Sequence, residues 1–251
     1  MARPEINNQF YDQLSERWYS AQDDPVALLR AESRLRNPWV VQRIVEQLGP
    51  GPRRVLDVGC GAGFLTNALA LEGHHVTGVD LSTESLAVAR KHDTTQSVRY
   101  LEMDAHALEL RPNGFDAVCC MDFLEHTERP GEVIAQIAPL LRPGGLLFFH
   151  TFSRNLLSYL IIIKGVEWFV RNTPEHMHVY RLLVRPEELG GYLAHHSLDA
   201  REWRGIRPRL SGALWRMLRT GSVPEDFSFE FTRSLSLGYC GFARKVDRGR
   251  L

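Results

Sequence analysis

Val55-Leu56-Asp57-Val58-Gly59-Cys60-Gly61-Ala62-Gly63-Phe64-Leu65 is the stretch on which the fold turns. A short apolar run passes through three glycines on alternate positions and continues into a helix-like pattern, which marks the first crossover of an α/β sheet. Glycine lets the backbone turn sharply and lets a ligand lie against bare main chain. The helix starting near Phe64 aims its unpaired N–H groups and positive dipole end into the same turn, so a carboxylate or phosphate fits there.

Two ligands suit such a turn: a dinucleotide, and S-adenosylmethionine, whose amino-acid tail carries a carboxylate. The spacing here is Gly-x-Gly-x-Gly, whereas the dinucleotide fingerprint is Gly-x-Gly-x-x-Gly. Asp57 stands just ahead of the glycines, where an acid repels a pyrophosphate but accepts from the ammonium of a methionine tail. Seventeen residues beyond Gly63 lies Asp80, in Val76-Thr77-Gly78-Val79-Asp80-Leu81-Ser82. An acid ending the second strand can hold both ribose hydroxyls of an adenosine. A purely structural turn would account for the glycines and for neither acid. The pair of stretches resembles the seven-strand, Rossmann-like S-adenosylmethionine-dependent methyltransferases, which implies a mostly parallel sheet with helices on both faces.

Composition bounds the rest. The 251 residues carry 30 basic and 30 acidic side chains, so there is no net basic field to hold nucleic acid. Arg201, Arg204, Arg207, Arg209, Arg216 and Arg219 form a local basic excess, interleaved with apolar residues. Cys60, Cys119, Cys120 and Cys240 lack metal spacing, and the expectation is reduced thiols in a cytoplasmic enzyme. Met1 to Glu5 lacks an apolar signal region, and no apolar run reaches the ~18 residues of a spanning helix.

In order along the chain, the spacing predicts a helix from Glu5 to Ser20 with Phe10, Leu14 and Trp18 on one side, then helices over Pro25–Arg36 and Trp39–Leu48. These first 48 residues would lie over the sheet as a helical lid or cover its edge, ahead of a catalytic domain over 49–251. Strands are expected at Arg54–Val58, His75–Asp80, Ser97–Met103, Phe115–Met121 and Leu146–Thr151, with helices at Phe64–Leu71, Thr83–His92 and Pro130–Leu141. An insertion over about 153–182 begins with the apolar run Leu156–Val170, too short for a bilayer span. It reads as a core helix, a wall over the substrate or an interfacial helix, and its place after strand five favours the ligand side. A helix over Pro186–His195, strands near Leu198–Arg204 and Leu237–Arg244, and a helix plus loop over Ser211–Phe227 complete the pattern.

Four further stretches narrow the resemblance: Asn8-x-Phe10-Tyr11 leading to Trp18; CMDFLEHT after strand four; FFHTFSRNLLSYL after strand five; and Thr173-Pro174-Glu175-His176 running into Val184-Arg185-Pro186-Glu187-Glu188-Leu189. Over about residues 8 to 205 they resemble the ubiquinone-biosynthesis O-methyltransferases, which methylate a ring hydroxyl of polyprenylated quinol precursors. Carried over by position, the resemblance implies a cofactor site at Asp57, Gly59, Gly61, Gly63, Asp80, Leu81, Asp104, Ala105 and Met121. It also implies a lid arginine at Arg34, or at Arg36 if the register slips. A divalent cation such as Mg²⁺ would be held by Asp122, Glu125 and His126. Spacing of i, i+3 and i+4 on a helical turn would converge those three ligands, and the cation would lower the pKa of the reacting hydroxyl. The other reading makes His126 a hydrogen-bonded site histidine and the acids helix caps. Glu125 or His126 would serve as general base, with His150 and His176 as alternatives.

Three departures from the family's pattern bear on the substrate: Asp122 in place of glutamate, EHMH in the turn where a threonine-histidine-aspartate run is usual, and a longer, more basic segment over Arg207–Phe231. The expected acceptor is a hydrophobic aromatic, drawn from the inner face of a membrane by peripheral contact. The rival is a soluble aromatic metabolite methylated on oxygen or carbon. A nucleic-acid methyltransferase lacks its Asn/Asp-Pro-Pro-Tyr/Trp motif here, and a binding protein without catalysis would not need the three rim acids. Oligomeric state stays open.

Overall fold

The computed structural model describes residues 6–246. A 3-10 turn at Asn8–Gln13 and a short helix α1 (Arg17–Ser20) replace the single expected helix, whose first residue, Glu5, lies outside the described residues. The chain breaks at Ser15, which takes a left-handed φ of 46°. That break lets Leu14 and Trp18 both bury, with Tyr11 stacked on Trp18 at 5.5 Å.

Two expected helices are one. Helix α2 (Val26–Leu48) runs through Pro38. Proline removes a backbone donor and usually ends a helix, but Arg36, Trp39, Val40 and Ile44 are all buried around it and hold both halves on one axis. Tertiary packing overrides the local preference.

The alternating core follows: β1 (Arg54–Val58), α3 (Phe64–Leu71), β2 (His75–Asp80), α4 (Thr83–His92), β3 (Arg99–Glu102), β4 (Phe115–Met121), α5 (Pro130–Ile137) and β5 (Leu141–Phe152). β5 starts five residues before its expected Leu146, because Leu141 pairs with Phe115 while Leu146 pairs with Ala117. Arg142-Pro143-Gly144-Gly145 is thus an excursion inside a strand, with Gly144 at φ 76°, rather than the loop before one.

The insertion is a short helix α6 (Leu156–Ser158), a π-helical stretch (Tyr159–Gly165) and α7 (Val166–Phe169). π-Helical turns are rare and concentrate at functional sites. The chain closes with α8 (Pro186–His195), β6 (Leu198–Pro208), α9 (Gly212–Thr220), β7 (Phe229–Thr232) and β8 (Gly238–Lys245). β7 follows the expected helix and loop, where no element was predicted, and it makes the sheet eight-stranded instead of seven.

The sheet order is β3-β2-β1-β4-β5-β8-β6-β7, with β1 to β5 parallel and β8, β6 and β7 antiparallel. β1 and β4 carry buried runs on both faces, as a sheet covered by helices on two sides requires. Strand order reverses between β1 and β4. In an open α/β sheet a ligand binds in the crevice beyond the carboxyl ends at such a switch point. β1 ends at Asp57-Val58 and β4 at Met121, so the topology places the glycine turn and Asp122 at that crevice.

Candidate active site

A cavity of about 830 Å³ opens there, within the range of small-molecule sites. Its first end is formed by Asp57, Gly59, Gly61, Asp80, Leu81, Ala105 and Met121. Gly59 has φ 70°, and a Cβ on it would stand 2.3 Å from the Phe123 ring, so the turn needs glycine on two counts. The Asp80 carboxylate accepts from the backbone N–H groups of Gly61 (2.8 Å) and Ser82 (2.9 Å), which fixes it at the rim with lone pairs to spare. Asp57 is buried and accepts from the Thr66 hydroxyl at 2.7 Å. Burial pushes its carboxyl up to about 7, so a cationic partner would be needed to restore full ionisation. Trp18 lies over Gly61, and the Tyr19 hydroxyl donates to the Ala62 carbonyl at 2.9 Å.

Three expected positions sit elsewhere. Gly63 caps α3 and packs against Tyr100 rather than lining the cavity. The Asp104 carboxylate turns onto His106, accepting from its backbone N–H at 2.9 Å and standing 3.1 Å from its Nδ1. Arg34 donates to the carbonyls of Glu225 (3.0 Å) and Phe227 (2.9 Å), away from the rim. Arg36, two residues on and so on the opposite side of the helix, is the arginine at the cavity.

Arg36 is buried and donates to both oxygens of Asp122, at 2.6 and 2.5 Å. The same carboxylate stands 2.5 Å from Nδ1 of His150, whose Nε2 lies 3.0 Å from Glu32. Four charged groups therefore alternate in sign from α2 to the ends of β4 and β5. Burial alone would raise the Asp122 carboxyl, but Arg36 and His150 outweigh it and hold it far below the usual range. Burial and the Arg36 charge oppose protonation of His150, yet Glu32 and Asp122 prevail and raise it to about 9. His150 is thus a cationic link with no exposed surface, which removes it as a base.

This also corrects the expected metal trio. Asp122 takes a left-handed φ of 56°, and the 3-10 turn Leu124–His126 begins only after it. Its carboxylate faces Arg36 and His150, so the i, i+3, i+4 convergence on Glu125 and His126 does not form. Glu125 and His126 are joined instead by His178, the three ligand atoms lying within 4.8 Å of one another. Glu125 is wholly buried; one oxygen accepts from the Thr151 hydroxyl at 2.7 Å and the other has no partner among the described residues. Burial and the Asp122 charge raise its carboxyl well above the ordinary value. His126 Nδ1 is likewise unpartnered among the described residues, and Nε2 lies 3.5 Å from the Tyr11 hydroxyl. Burial lowers His126 to about 4 and His178 to about 3, so both rings are neutral. His176 is exposed on the far side of this turn and does not line the cavity. His178, Glu32 and Tyr11 were not expected as site residues from sequence; only the i, i+4 spacing of Glu32 and Arg36 hinted at a shared helix face.

Beyond Glu125 and His126 the cavity continues as an apolar arm, with Leu160, Ile161 and Phe169 on one wall and Leu214, Met217 and Phe227 on the other. Breaking the four-charge chain has a definite cost. Asp122→Asn or Arg36→Met, each leaving a buried charge unpaired, is expected to lose about 3–5 kcal/mol of unfolding free energy. The double variant loses clearly less than the sum in a urea titration. Additive losses under about 1 kcal/mol would show the chain to be energetically irrelevant.

Comparison with known proteins agrees with this geometry. A "Methyltransferase domain" profile matches residues 56–149. The ubiquinone biosynthesis O-methyltransferase of Burkholderia cenocepacia is 39% identical over 201 residues, 79% of this chain and 84% of that protein. The one from Aromatoleum aromaticum is 36% identical over the same share of each. Among solved structures, a magnesium protoporphyrin IX methyltransferase from Synechocystis with bound SAH superposes with a TM-score of 0.66 at 18% identity, over 95% of each chain, and so shares the fold. The chain belongs to the ubiquinone biosynthesis O-methyltransferases and is an S-adenosylmethionine-dependent enzyme of that family.

Proposed function

We propose that this enzyme methylates a ring hydroxyl of a polyprenylated catechol, a quinol precursor in ubiquinone biosynthesis. The observation that carries the reading is the shape of this cavity: a polar end with two anchored acids, a middle with Glu125 and His126, and an apolar arm. A molecule with a phenolic head and a long hydrocarbon tail matches that sequence of surfaces.

Asp57 would hold the ammonium of the cofactor's amino-acid tail and Asp80 the ribose hydroxyls, with Leu81, Ala105 and Met121 around the adenosine. When bound, S-adenosylmethionine supplies an electrophilic methyl group, whose bond to sulfur breaks as the new bond to oxygen forms. The chain's own contribution is to hold the acceptor oxygen in line, with the entropy of approach removed beforehand. Glu125 accepts the hydroxyl proton at its unpartnered oxygen; a carboxyl with a raised pKa is a better base near neutral pH than an ordinary one. His126, neutral, orients the same hydroxyl, and Tyr11 steadies the imidazole.

A divalent cation fits Glu125, His126 and His178 better than the set with Asp122, since two of its buried donor atoms lack protein partners. One carboxylate with two imidazoles is a zinc-type donor set, not the all-oxygen set Mg²⁺ favours. Such an ion would occupy the Glu125 oxygen and lower the pKa of a bound hydroxyl itself, in place of proton transfer to Glu125. Zn²⁺ titration of the metal-free protein should show one site, weakened in His178→Ala by more than the about 10-fold that losing an outer partner costs. Equal affinity in the two proteins would remove the cation from this site.

The insertion leaves Leu156, Leu157, Leu160, Ile161, Trp168 and Phe169 exposed. No helix among the described residues is long and apolar enough to cross a membrane. The insertion would therefore rest in the interface, at the inner face of a membrane in the cytoplasm, where a polyprenyl tail can enter the arm.

Two measurements check the reading. On a polyprenyl catechol and its tail-less analogue, kcat/KM should favour the former by at least about tenfold, since several methylenes contribute; Leu214→Ser should narrow the gap. Equal or better turnover of the tail-less compound would indicate a soluble aromatic acceptor instead. The Asp57 site predicts a pH dependence whose sign follows from its raised pKa. The carboxylate binds the ammonium, so at pH 8 it is already ionised, whereas below about 7 a proton must first leave. Cofactor affinity should therefore fall roughly tenfold from pH 8 to pH 6, and in Asp57→Asn be weak and nearly flat. Wild-type affinity constant across that range would overturn the assignment.

A further inference from the structure

The 3-10 turn that carries Glu125 and His126 is tied at both ends. Ahead of it, Asp122 is fixed by Arg36 and His150. Behind it stands Thr127, buried and extended at φ −129°, outside the cavity lining. Its hydroxyl lies 2.9 Å from Nε2 of His106, whose Nδ1 lies 3.1 Å from the Asp104 carboxylate. A carboxylate only accepts, so in the neutral ring the proton sits on Nδ1 and Nε2 accepts from the Thr127 hydroxyl. The Thr127 oxygen in turn accepts from the Arg129 backbone N–H at 3.2 Å, and Asp104 accepts from that of His106 at 2.9 Å. The hydrogen bonds therefore run one way, from Thr127 through His106 to Asp104.

These bonds join two separate loops. Asp104 and His106 follow β3, and Thr127 leads from the turn after β4 toward α5. The members of the turn differ in how they are held. Leu124 is buried in the core, and Glu125 is tied to Thr151 at 2.7 Å. The hydrogen-bond partner of the His126 ring among the described residues is only the Tyr11 hydroxyl, at a long 3.5 Å, and its other nitrogen has none. Where that ring points is thus decided chiefly by the backbone that carries it, and Thr127 is the next residue of that backbone.

We infer that His106 and Thr127 are positioning residues for methyl transfer: they brace the turn from behind and fix the angle at which His126 meets the acceptor hydroxyl. This role rests on those proposed above for Glu125 and His126. A carboxylate, an imidazole and a hydroxyl in this order resemble a nucleophilic triad. Here the hydroxyl is buried away from the cavity, so it anchors instead of attacking. A reacting group displaced by about 1 Å can cost about 100-fold in rate, and a partial displacement of one orienting ring costs less.

The test is steady-state turnover of a polyprenyl catechol by the full chain, alongside calorimetric titration with S-adenosylhomocysteine. Urea unfolding verifies that each variant is folded. Thr127→Val keeps the side chain's shape and removes the hydroxyl. It should lower kcat about tenfold, with KM for the catechol and affinity for S-adenosylhomocysteine each within about twofold of wild type. Thr127→Ser, which keeps the hydroxyl, should recover kcat to within about threefold of wild type. His106→Ala should match Thr127→Val, and the double variant should be at most about twofold slower than either, because both break the same set of bonds. Wild-type kcat in Thr127→Val, losses that multiply in the double variant, or no recovery with serine would each overturn the bracing role. A fall in S-adenosylhomocysteine affinity equal to the fall in kcat would also overturn it, since that marks a general loosening of the site. Glu125→Gln and His126→Ala separate the two levels. If both keep wild-type turnover, the roles assigned to these groups fail and the brace falls with them. If both lose turnover while Thr127→Val does not, the brace alone fails.

Discussion

The site depends first on the alternating chain Glu32–His150–Asp122–Arg36. Taking four charges out of water is costly, and their mutual attraction offsets that cost only when each has a close partner of opposite sign. Here every member has one: Asp122 sits between Arg36 and His150, and His150 sits between two carboxylates. Remove any one and the next is stranded. The chain joins a helix of the N-terminal segment to the ends of β4 and β5, so the cover over the crevice and the rim beneath it are set by the same contacts. It also decides the roles of its neighbours. With Asp122 engaged by Arg36, its negative charge still reaches Glu125 and, together with burial, keeps that carboxyl high. The carboxyl proposed as the base lies beside a latch.

The cavity's polar end follows from topology rather than from any single side chain. Five parallel strands with a reversal between β1 and β4 leave a gap at their carboxyl ends, and Asp57 and Asp80 arrive there because each lies at the end of its own strand. The two acids differ in how they are kept. Asp80 is tied by two backbone N–H groups and stays at the rim. Asp57 has one hydroxyl and deep burial, so its carboxyl is pushed up to about 7.

Much of this was legible in the residue pattern. The bounds of β1, β2, β4, α3, α4 and α8 are those the periodicity predicts, since strong apolar runs between glycine and proline punctuation leave little freedom. What escaped depends on contacts between distant segments. No local signal makes Pro38 pass through a helix; buried Trp39 and Ile44 do. No spacing rule shows that Asp122 turns to Arg36, because its left-handed backbone is compatible with the same letters in a helical turn. The replacement of Asp122 by His178 beside Glu125 and His126 needs the chain to return over fifty residues later, and β7 is too short to stand out before its partner β6 is known.

Helix α2 explains why these separate features form one machine. Its first turns place Ala27 and Ala31 against Ala213, Met217 and Phe227, the inner side of the apolar arm. Its middle carries Glu32 and Arg36 into the charge chain, and its last turns pack Trp39, Val40 and Ile44 on the sheet. A break at Pro38 would uncouple the sheet from the latch and the arm. Kept straight, the helix transmits the position of the α9 wall of the arm to the rim beside Asp122 and Glu125. Alanine at 27 and 31 is then a matter of distance: larger side chains there would push α9 outward and widen the arm, while α2 itself is held by its ion pairs and by the sheet. The width of the arm is therefore set by small residues on the same rod that carries Glu32 and Arg36 into the charge chain.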